Sequence, residues 1–475
     1  MLTTHRTKTL VGTGIVLAAA LTVAACSDSS SEANGGEAGA AGAPSGSGGS
    51  EAGTGGSEAG AGGSDPGTGG TVSETDEVRS DVAYDTMPDV ASDDYRSFIF
   101  NTNDFGLDVF AQLSGEDTNI VYSPVSVAVA LGMTYAGARG DTAAQMATVM
   151  HNDLSDDAFH AANNQLAVNL TSRNIALHET EEGEKSLLLR LVNATWAQNG
   201  YAIEQPFLDV LATNYDAGVK LVDFVGDTEG ARLAINAWAA DQTEDRIQDL
   251  IGPNDLDADT RLVLTNALYF YGSWSEAFRV DSTSDGAFYT LSGGEVTAEM
   301  MHQSTSYRYG EGDGYQMLDI PYVGGELSMT IVLPEAGRFA EIRSLLSGDW
   351  LTQARASMAD TQVDLTLPKW SFSWGTESLK ESLQALGMTD AFTPLADFTG
   401  IDTSGLLYIF DVLQQAFIAV DESGTEAAAA TAVIMGWTSD PGPGVPFIVD
   451  RPFLLFIRDS SGLILFTGQV TDPSL

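Results

Sequence analysis

Cysteine is almost absent from this sequence, and histidine is scarce. Cys26 is the only cysteine among 475 residues, so no disulfide can form within the chain. Histidines number five, and the first of them, His5, lies near the N-terminus. A structural zinc site needs four Cys or His ligands, usually in paired spacings. The sequence offers no such set, and we expect neither a metal nor another cofactor.

Basic residues are also few. Lys and Arg number 21 against 66 Asp and Glu, which gives a formal net charge of −45. Nucleic acids and heparin-like polyanions bind clustered cations. No such cluster occurs, so we expect no nucleic acid and no heparin among the partners. A surface this acidic repels other copies of itself, and we expect a monomer.

The common catalytic motifs are missing as well. The sequence contains no G-x-S-x-G, H-E-x-x-H or S-x-x-K and no G-x-x-x-x-G-K-[ST]. Carboxylates are so abundant that pairs of them carry no information about catalysis. We therefore expect a protein that is not an enzyme. A secreted hydrolase whose triad comes together only in the fold is the alternative.

The first 25 residues have the features of a signal peptide. A basic start precedes an uncharged run from Thr9 to Ala25, which at 17 residues is shorter than the ~20 of a membrane-spanning helix. The small residues before Cys26 resemble a bacterial lipobox, in which the cysteine is lipidated and becomes the mature N-terminus. A plain signal peptide with an incidental cysteine is the alternative. We expect an exported protein, anchored through Cys26 to the outer membrane or cell surface, or extracellular.

Residues 26–92 are predicted to form a flexible tether. Within them, residues 27–70 contain 16 of the 50 glycines and no aromatic residue, Lys or Arg. Such a segment cannot bury enough apolar surface to offset the entropy lost on ordering. It would hold the rest of the chain away from the membrane.

Residues 93–475 carry the strong periodic patterns and are predicted to form one domain. Ser123, followed by proline, suits a helix N-cap. Thr142 and Gln145 have the spacing of a capping box, and Thr376 is a further predicted N-cap. Helices come first and strands later, without βαβ alternation, which predicts an α+β fold. The clearest strand patterns are 326–334, 362–370, 406–420, 452–459 and 463–470.

Residues 421–444 do not fit one kind of structure. The stretch from Ala427 to Ser439 is uncharged and mostly small, and a Pro/Gly cluster follows it. Alanine favours helix, so local signals favour a short helix or a loop. Every second residue from Thr425 to Met435 is also uncharged, which is compatible with a buried strand.

A series of segments, in order along the predicted domain, resembles the serpin family. The first matches the family's shutter-region signature, and a later one contains the Ala-rich stretch. Each match is modest alone, but together they are very specific. The segments are 119–146, 191–224, 235–251, 261–278, 367–401, 416–435 and 451–473.

The resemblance implies a serpin-like α+β fold with three β-sheets, about eight or nine helices and an exposed reactive-centre loop. In this family the loop is bait for a protease. After cleavage it inserts as a new central strand of the main sheet and carries the acylated protease with it, a recognised form of strand addition. A hinge of mostly small residues without proline favours an active inhibitor. The hinge residues implied here are Glu422, Gly424, Thr425, Ala427, Ala428, Ala429 and Ala430.

The family spacing implies a reactive bond between Thr438 and Ser439. A shift by one residue would place Trp437 in the protease instead. Threonine suggests an elastase-like or subtilisin-like target, and tryptophan a chymotrypsin-like one. No Lys or Arg lies near the bond, so trypsin-like proteases are poor candidates.

Other site residues follow from the same resemblance. Gln414 lies eight residues before the hinge glutamate, where the family commonly has a histidine of the shutter. We expect it near Ser123, Ser126 and Asn266, in a network that does not titrate. Trp196 is the predicted breach tryptophan.

The sequence thus predicts a surface-tethered suicide inhibitor that forms a covalent complex with a chymotrypsin-, elastase- or subtilisin-like serine protease. The alternatives are a non-inhibitory serpin-fold binding or scaffold protein and, from another class, the hydrolase.

Overall fold

Helices fill the first part of the chain in the computed structural model, as the sequence predicts. The structure describes residues 76–115, 117–180, 183–243, 245–425 and 443–475. The α-helices within these ranges are α1 (Ser92–Leu113), α2 (Pro124–Tyr135), α3 (Gly140–Val149), α4 (Asp156–Ser172), α5 (Gln205–Tyr215), α6 (Thr228–Gln242), α7 (Phe339–Ser344), α8 (Gly348–Ala356) and α9 (Lys380–Leu386).

Strands dominate the later part, and the predicted α+β class is confirmed. The described strands are β1 (Asp76–Val78), β2 (Ile120–Tyr122), β3 (Ile175–Thr180), β4 (Gly183–Gln198), β5 (Val219–Val222), β6 (Leu262–Ser273), β7 (Ser284–Tyr289), β8 (Glu295–Gly312), β9 (Tyr315–Pro321), β10 (Leu327–Pro334), β11 (Ala359–Pro368), β12 (Trp370–Ser378), β13 (Asp411–Val420), β14 (Gly424–Thr425), β15 (Val445–Ile448), β16 (Phe453–Asp459) and β17 (Ile464–Val470).

One sheet, called the main sheet below, has the strand order β1-β5-β4-β6-β14-β13-β12, with β3 paired to β4. The second sheet has the order β15-β11-β8-β9-β10-β16-β17-β2, with β7 paired to β8. The third sheet that the resemblance implies is hydrogen-bonded into the second. The reason is the length of β8, which pairs with β7, β11 and β9 in succession along its 18 residues.

Helix α2 packs against β4 and β6 of the main sheet and β17 of the second sheet. Ser123 is its N-cap, as predicted, and accepts a hydrogen bond from the backbone of Ser126. Gly106 of α1 meets this helix closely, since a Cβ atom there would lie 2.3 Å from Cβ of Pro124. Only glycine fits, so α1 can approach the N-terminus of α2.

Two predicted helix starts are wrong. Helix α3 begins before Thr142, whose hydroxyl accepts a hydrogen bond from the Asp397 backbone instead. Gln145 likewise accepts from the backbones of Thr389 and Asp390. Thr376 lies inside β12, and α9 starts after it. In the first case the polar side chains serve a tertiary contact rather than their own helix.

Strand β1 lies before residue 92, within the range predicted to be the tether. Strand β1 pairs antiparallel with β5 at an edge of the main sheet. Lys220 forms an ion pair with Glu77 at 3.0 Å, and Arg79 pairs with Asp216. Residues 76–91 therefore belong to the folded unit. Among the described residues, no helix is both long and apolar enough to cross a membrane.

Candidate functional site: a gap in the main sheet

The main sheet has a place for one more strand between β6 and β13. At one end these two strands pair directly and in parallel, from Asp411↔Val263 to Gln414↔Asn266. At the other end the two-residue β14 lies between them. In between, the facing edges of 267–271 and 415–419 have no strand partner among the described residues. The unpaired stretch is five residues long on each side.

Strand β14 marks the point where the chain enters this gap. Gly424 pairs with Ser273, and a Cβ atom on Gly424 would lie 2.1 Å from the carbonyl oxygen of Gly272. Glycine is therefore required by close backbone approach. The hydroxyls of Thr425 and Tyr322 are 2.6 Å apart and buried. The hinge residues Gly424 and Thr425 are thus already seated in the sheet.

Trp274 holds the turn that leads into β14. Its side-chain Nε1 donates to the carbonyl of Asp421 at 3.0 Å, and its backbone N–H donates to that of Ser423. Its ring is fully buried and stacks on Tyr322 at 4.6 Å between centroids. This tryptophan lies where the chain enters the gap, and the sequence analysis missed it.

Trp196, the predicted breach tryptophan, lies elsewhere. It is buried in β4, opposite Val263, and its Nε1 donates to the hydroxyl of Thr265 at 2.8 Å. Ser273, the partner of Gly424, is at the other end of β6, roughly 30 Å away at ~3.3 Å per residue. The assignment to Trp196 is corrected to Trp274. Each tryptophan lies at the end of an apolar strand, and only the strand register shows which of the two is next to the hinge.

Glu422 is fixed by three contacts next to the hinge. Its Oε1 accepts from the Thr283 hydroxyl at 2.7 Å, and its Oε2 lies 3.2 Å from Nζ of Lys369. Its carbonyl accepts from the backbone of Phe278. Burial opposes ionisation of the carboxyl, but the hydrogen bonds outweigh burial, so the pKa of Glu422 is lowered. This charged anchor fixes the chain just before it enters the gap.

Gln414 joins β13, β6 and the start of α2. Its Oε1 accepts from the Ser123 backbone at 3.2 Å, and its Nε2 donates to the Ser123 carbonyl at 3.2 Å and to Oδ1 of Asn266 at 2.8 Å. All three residues are buried. The structure therefore brings together the three residues Gln414, Ser123 and Asn266. Ser126 lies one helical turn away, and its buried hydroxyl has no partner in the described part of the chain.

The far end of the Ala-rich segment is fixed in the second sheet. Strand β15 pairs in parallel with β11, and the backbone N–H of Gly444 donates to Oδ2 of Asp364 at 3.0 Å. The chain between β14 and β15 thus leaves one sheet and reaches another. Several predicted site residues lie outside the described residues: Cys26, Ala427, Ala428, Ala429, Ala430, Trp437, Thr438 and Ser439.

No group of His, Cys, Asp and Glu side chains within the described ranges is arranged to hold a metal ion. The gap itself is bordered by the facing backbone edges of β6 and β13.

The main sheet of this α+β fold is open for one strand, and a chain segment lies at the mouth of the gap. The sequence profile of the serpin (serine protease inhibitor) family matches residues 100–473. The chain belongs to the serpin family.

Similar proteins agree with this assignment. An uncharacterised serpin-like protein of Thermococcus kodakarensis is 37% identical, covering 82% of this chain and 90% of its own. Serpin B3 of Homo sapiens is 33% identical, over 78% of this chain and 97% of its own. The crystal structure of tengpin, a thermophilic serpin in the native state, has a TM-score of 0.72 at 28% identity and covers 83% of this chain and 97% of that one. The serpin-like fold is confirmed, and family and fold together support a protease-inhibitor type of role rather than catalysis.

Proposed function

We propose that this protein is a suicide inhibitor of serine proteases of chymotrypsin-, elastase- or subtilisin-like specificity, and that the gap between β6 and β13 receives the cleaved loop. The protease serine would attack the carbonyl carbon of Thr438, and the amine of Ser439 would leave as a new N-terminus. The acyl-enzyme would then be carried along as the freed strand inserts.

The register of β14 carries this proposal. Thr425 lies opposite both Gly272 of β6 and Val420 of β13. A strand that continued this register would place residues 426–430 opposite 271–267 and 419–415, which is the whole unpaired stretch. The five residues from Glu426 to Ala430 would fill the gap without breaking any existing pair.

The alternation of side chains supports the same register. Residues directly opposite in neighbouring strands point to the same face of a sheet. Thr425 would share its face with Val420, Ala427 with Ile418 and Ala429 with Ala416. These three side chains of β13 are buried. The other set, beginning with Glu426, would face the half-buried side of β13. The single charge therefore points away from the core, where a buried charge would be costly.

Further insertion has to separate β6 from β13. In the continued register Thr431 falls opposite both Asn266 and Gln414. The hydrogen bond between these two side chains must break before the strand can advance. The next three residues displace the remaining direct pairs down to Asp411↔Val263. The network around Gln414 thus holds β6 and β13 together at the closed end of the gap.

The intact loop is held at both ends. Its N-terminal end is in β14 of the main sheet, and its C-terminal end is in β15 of the second sheet. Cleavage between the two releases the N-terminal part, while β15 can stay paired with β11. Each inserted residue then adds backbone hydrogen bonds on both sides, at about 1 kcal/mol net per bond.

The test is to mix the protein with subtilisin, elastase and chymotrypsin. The inhibitor forms a covalent complex that survives SDS and releases a C-terminal fragment starting near Ser439. A non-inhibitory scaffold protein gives only cleavage. A hydrolase gives turnover of substrate without a complex. The last two results would each overturn the proposal.

The lipid anchor is a separate part of the proposal. We propose that Cys26 is lipidated after removal of residues 1–25 and that the following segment tethers the inhibitor to the bacterial envelope. The lipobox-like sequence before the only cysteine supports this. Radiolabelled palmitate should be incorporated by the full chain and not by Cys26→Ser. Equal labelling of both would contradict it.

A further inference from the structure

A second polar cluster lies in the second sheet, away from the gap. Arg458 in β16 is 4% exposed. Its Nη2 donates to the carbonyl of Gly462 at 3.1 Å. Its Nε and Nη1 are buried and have no hydrogen-bond acceptor among the described residues. A buried charged group with two unpaired N–H donors needs a partner.

Arg355 supplies a third unpaired donor. It lies near the end of α8, and its Nη2 donates to Oδ2 of Asp319 at 2.8 Å. Its Nε is buried and likewise lacks an acceptor within the described ranges. The other oxygen of Asp319 already accepts from the hydroxyl of Thr330 at 2.5 Å. Burial and then the charge of Arg355 lower the pKa of Arg458 to about 10.

The other carboxylate near Arg458, that of Asp459, already has partners. Asp459 pairs with Arg173 and accepts from the hydroxyl of Ser461 and the backbone of Leu463. Arg355 takes Oδ2 of Asp319, and Arg458 has no ion-pair partner of its own among the described residues. The cluster has an excess positive charge in a protein that is otherwise strongly acidic.

We propose that a small anion of the size of chloride binds between Arg355 and Arg458. Water could accept the unpaired hydrogen bonds, but it would leave the excess charge in place. An anion would accept these hydrogen bonds and would also offset the excess positive charge. The side chain of Arg355 is 22% exposed, which gives the ion a route from solvent. Such a site would stabilise the sheet that carries β15 and hence the attachment of the loop's far end.

The test measures the melting temperature of the full chain while sodium gluconate is replaced by sodium chloride at constant ionic strength. We expect a rise of a few degrees that saturates with chloride, because the ion binds the folded state. Arg458→Met should lose the chloride dependence. The matched control is Arg96→Met, since Arg96 is exposed and paired only within α1; it should keep the wild-type response.

Arg458→Met could fail to fold, so the wild-type protein gives a second readout. Chloride-35 NMR lines should broaden on addition of the protein, and bromide-soaked crystals should show an anomalous peak beside Arg458. Arg355→Met, which retains the other arginine, should weaken the broadening. A melting temperature that is the same in gluconate and chloride, with no bromide peak at the cluster, would show that water alone occupies it and would overturn the proposal.

Discussion

Gln414 shows how one side chain can connect three elements without a charge. Its amide makes one acceptor and two donor contacts, so each of its polar atoms is used. A histidine, which the family commonly has here, would bring a group that titrates near neutral pH. Glutamine and histidine thus differ here in whether the side chain titrates rather than in its shape, and the pH dependence of stability tests this difference.

We expect Gln414→His to make stability more dependent on pH. A buried imidazole has a pKa below its unfolded value of about 6.5, so the variant gains a proton on unfolding and loses stability as the pH falls below that value. Wild type already loses some stability in the same way as the pH falls, since burial lowers the pKa of His160 to about 4. The measurement is therefore the difference in melting temperature between the two proteins, which should widen from pH 8 to pH 5. A constant difference would contradict the prediction.

For Glu422 we expect a difference between variant and wild type that narrows, rather than widens, as the pH falls. Its pKa is lowered in the folded protein, so its stabilisation is present above the unfolded pKa of about 4.5 and is lost as the pH falls through the folded value. Glu422→Gln should cost about 1–2 kcal/mol at pH 7 and little once the pH is below the lowered pKa of the folded protein. Glu299→Gln is the control, because Glu299 is exposed and 3.7 Å from the same lysine. Equal effects of the two variants would argue against a buried anchor.

At the scale of elements, the local signals in the sequence worked where the residue serves its own element. Ser123 caps α2, as predicted. They failed at Thr142, whose hydroxyl binds a distant backbone. They also failed to choose between Trp196 and Trp274, because the end of the sheet on which each lies depends on strand register. That register is set by long-range pairing, which a single sequence does not display.

Strand β14 is expected to be the most sensitive element of the site. Thr425 is 2% exposed and faces Tyr322. Thr425→Arg would place a charge in that position, so we expect a protein that is cleaved like wild type but no longer retains the protease. Thr425→Val keeps the shape and loses only the hydroxyl, and it should still form the complex. SDS gels of each variant with chymotrypsin decide the point, and a stable complex with the arginine variant would refute insertion.

Strand β1 covers an edge of the main sheet. Deleting residues 1–78 would expose the backbone of β5 and remove the ion pair between Glu77 and Lys220. We expect this deletion to lower the melting temperature by several degrees. Deleting residues 1–69 retains β1 and should change it little. Identical melting of the two truncated proteins would mean that β1 contributes nothing to stability.

At the scale of the whole molecule, the two sheets share the loop between them. The resemblance in the sequence predicts this arrangement, but it does not give the length of the gap or the pairs that close it. Those come from the register, which leaves five residues of β6 and β13 unpaired and then joins the strands over four residue pairs. Under the proposed mechanism the folded chain has a better-paired state available, and the connection to β15 keeps it from reaching that state.

Cleavage between Thr438 and Ser439 should therefore raise thermal stability strongly. The freed strand can fill the gap, pass between Gln414 and Asn266 and complete the main sheet, adding hydrogen bonds along both of its edges. We expect the nicked protein to melt tens of degrees above the intact protein in differential scanning calorimetry. The control is nicked Thr425→Arg, in which the same bond is cut but an arginine stands where β14 enters the gap; its melting temperature should stay near that of intact Thr425→Arg. If nicked and intact wild type melt together, the gap does not receive the loop.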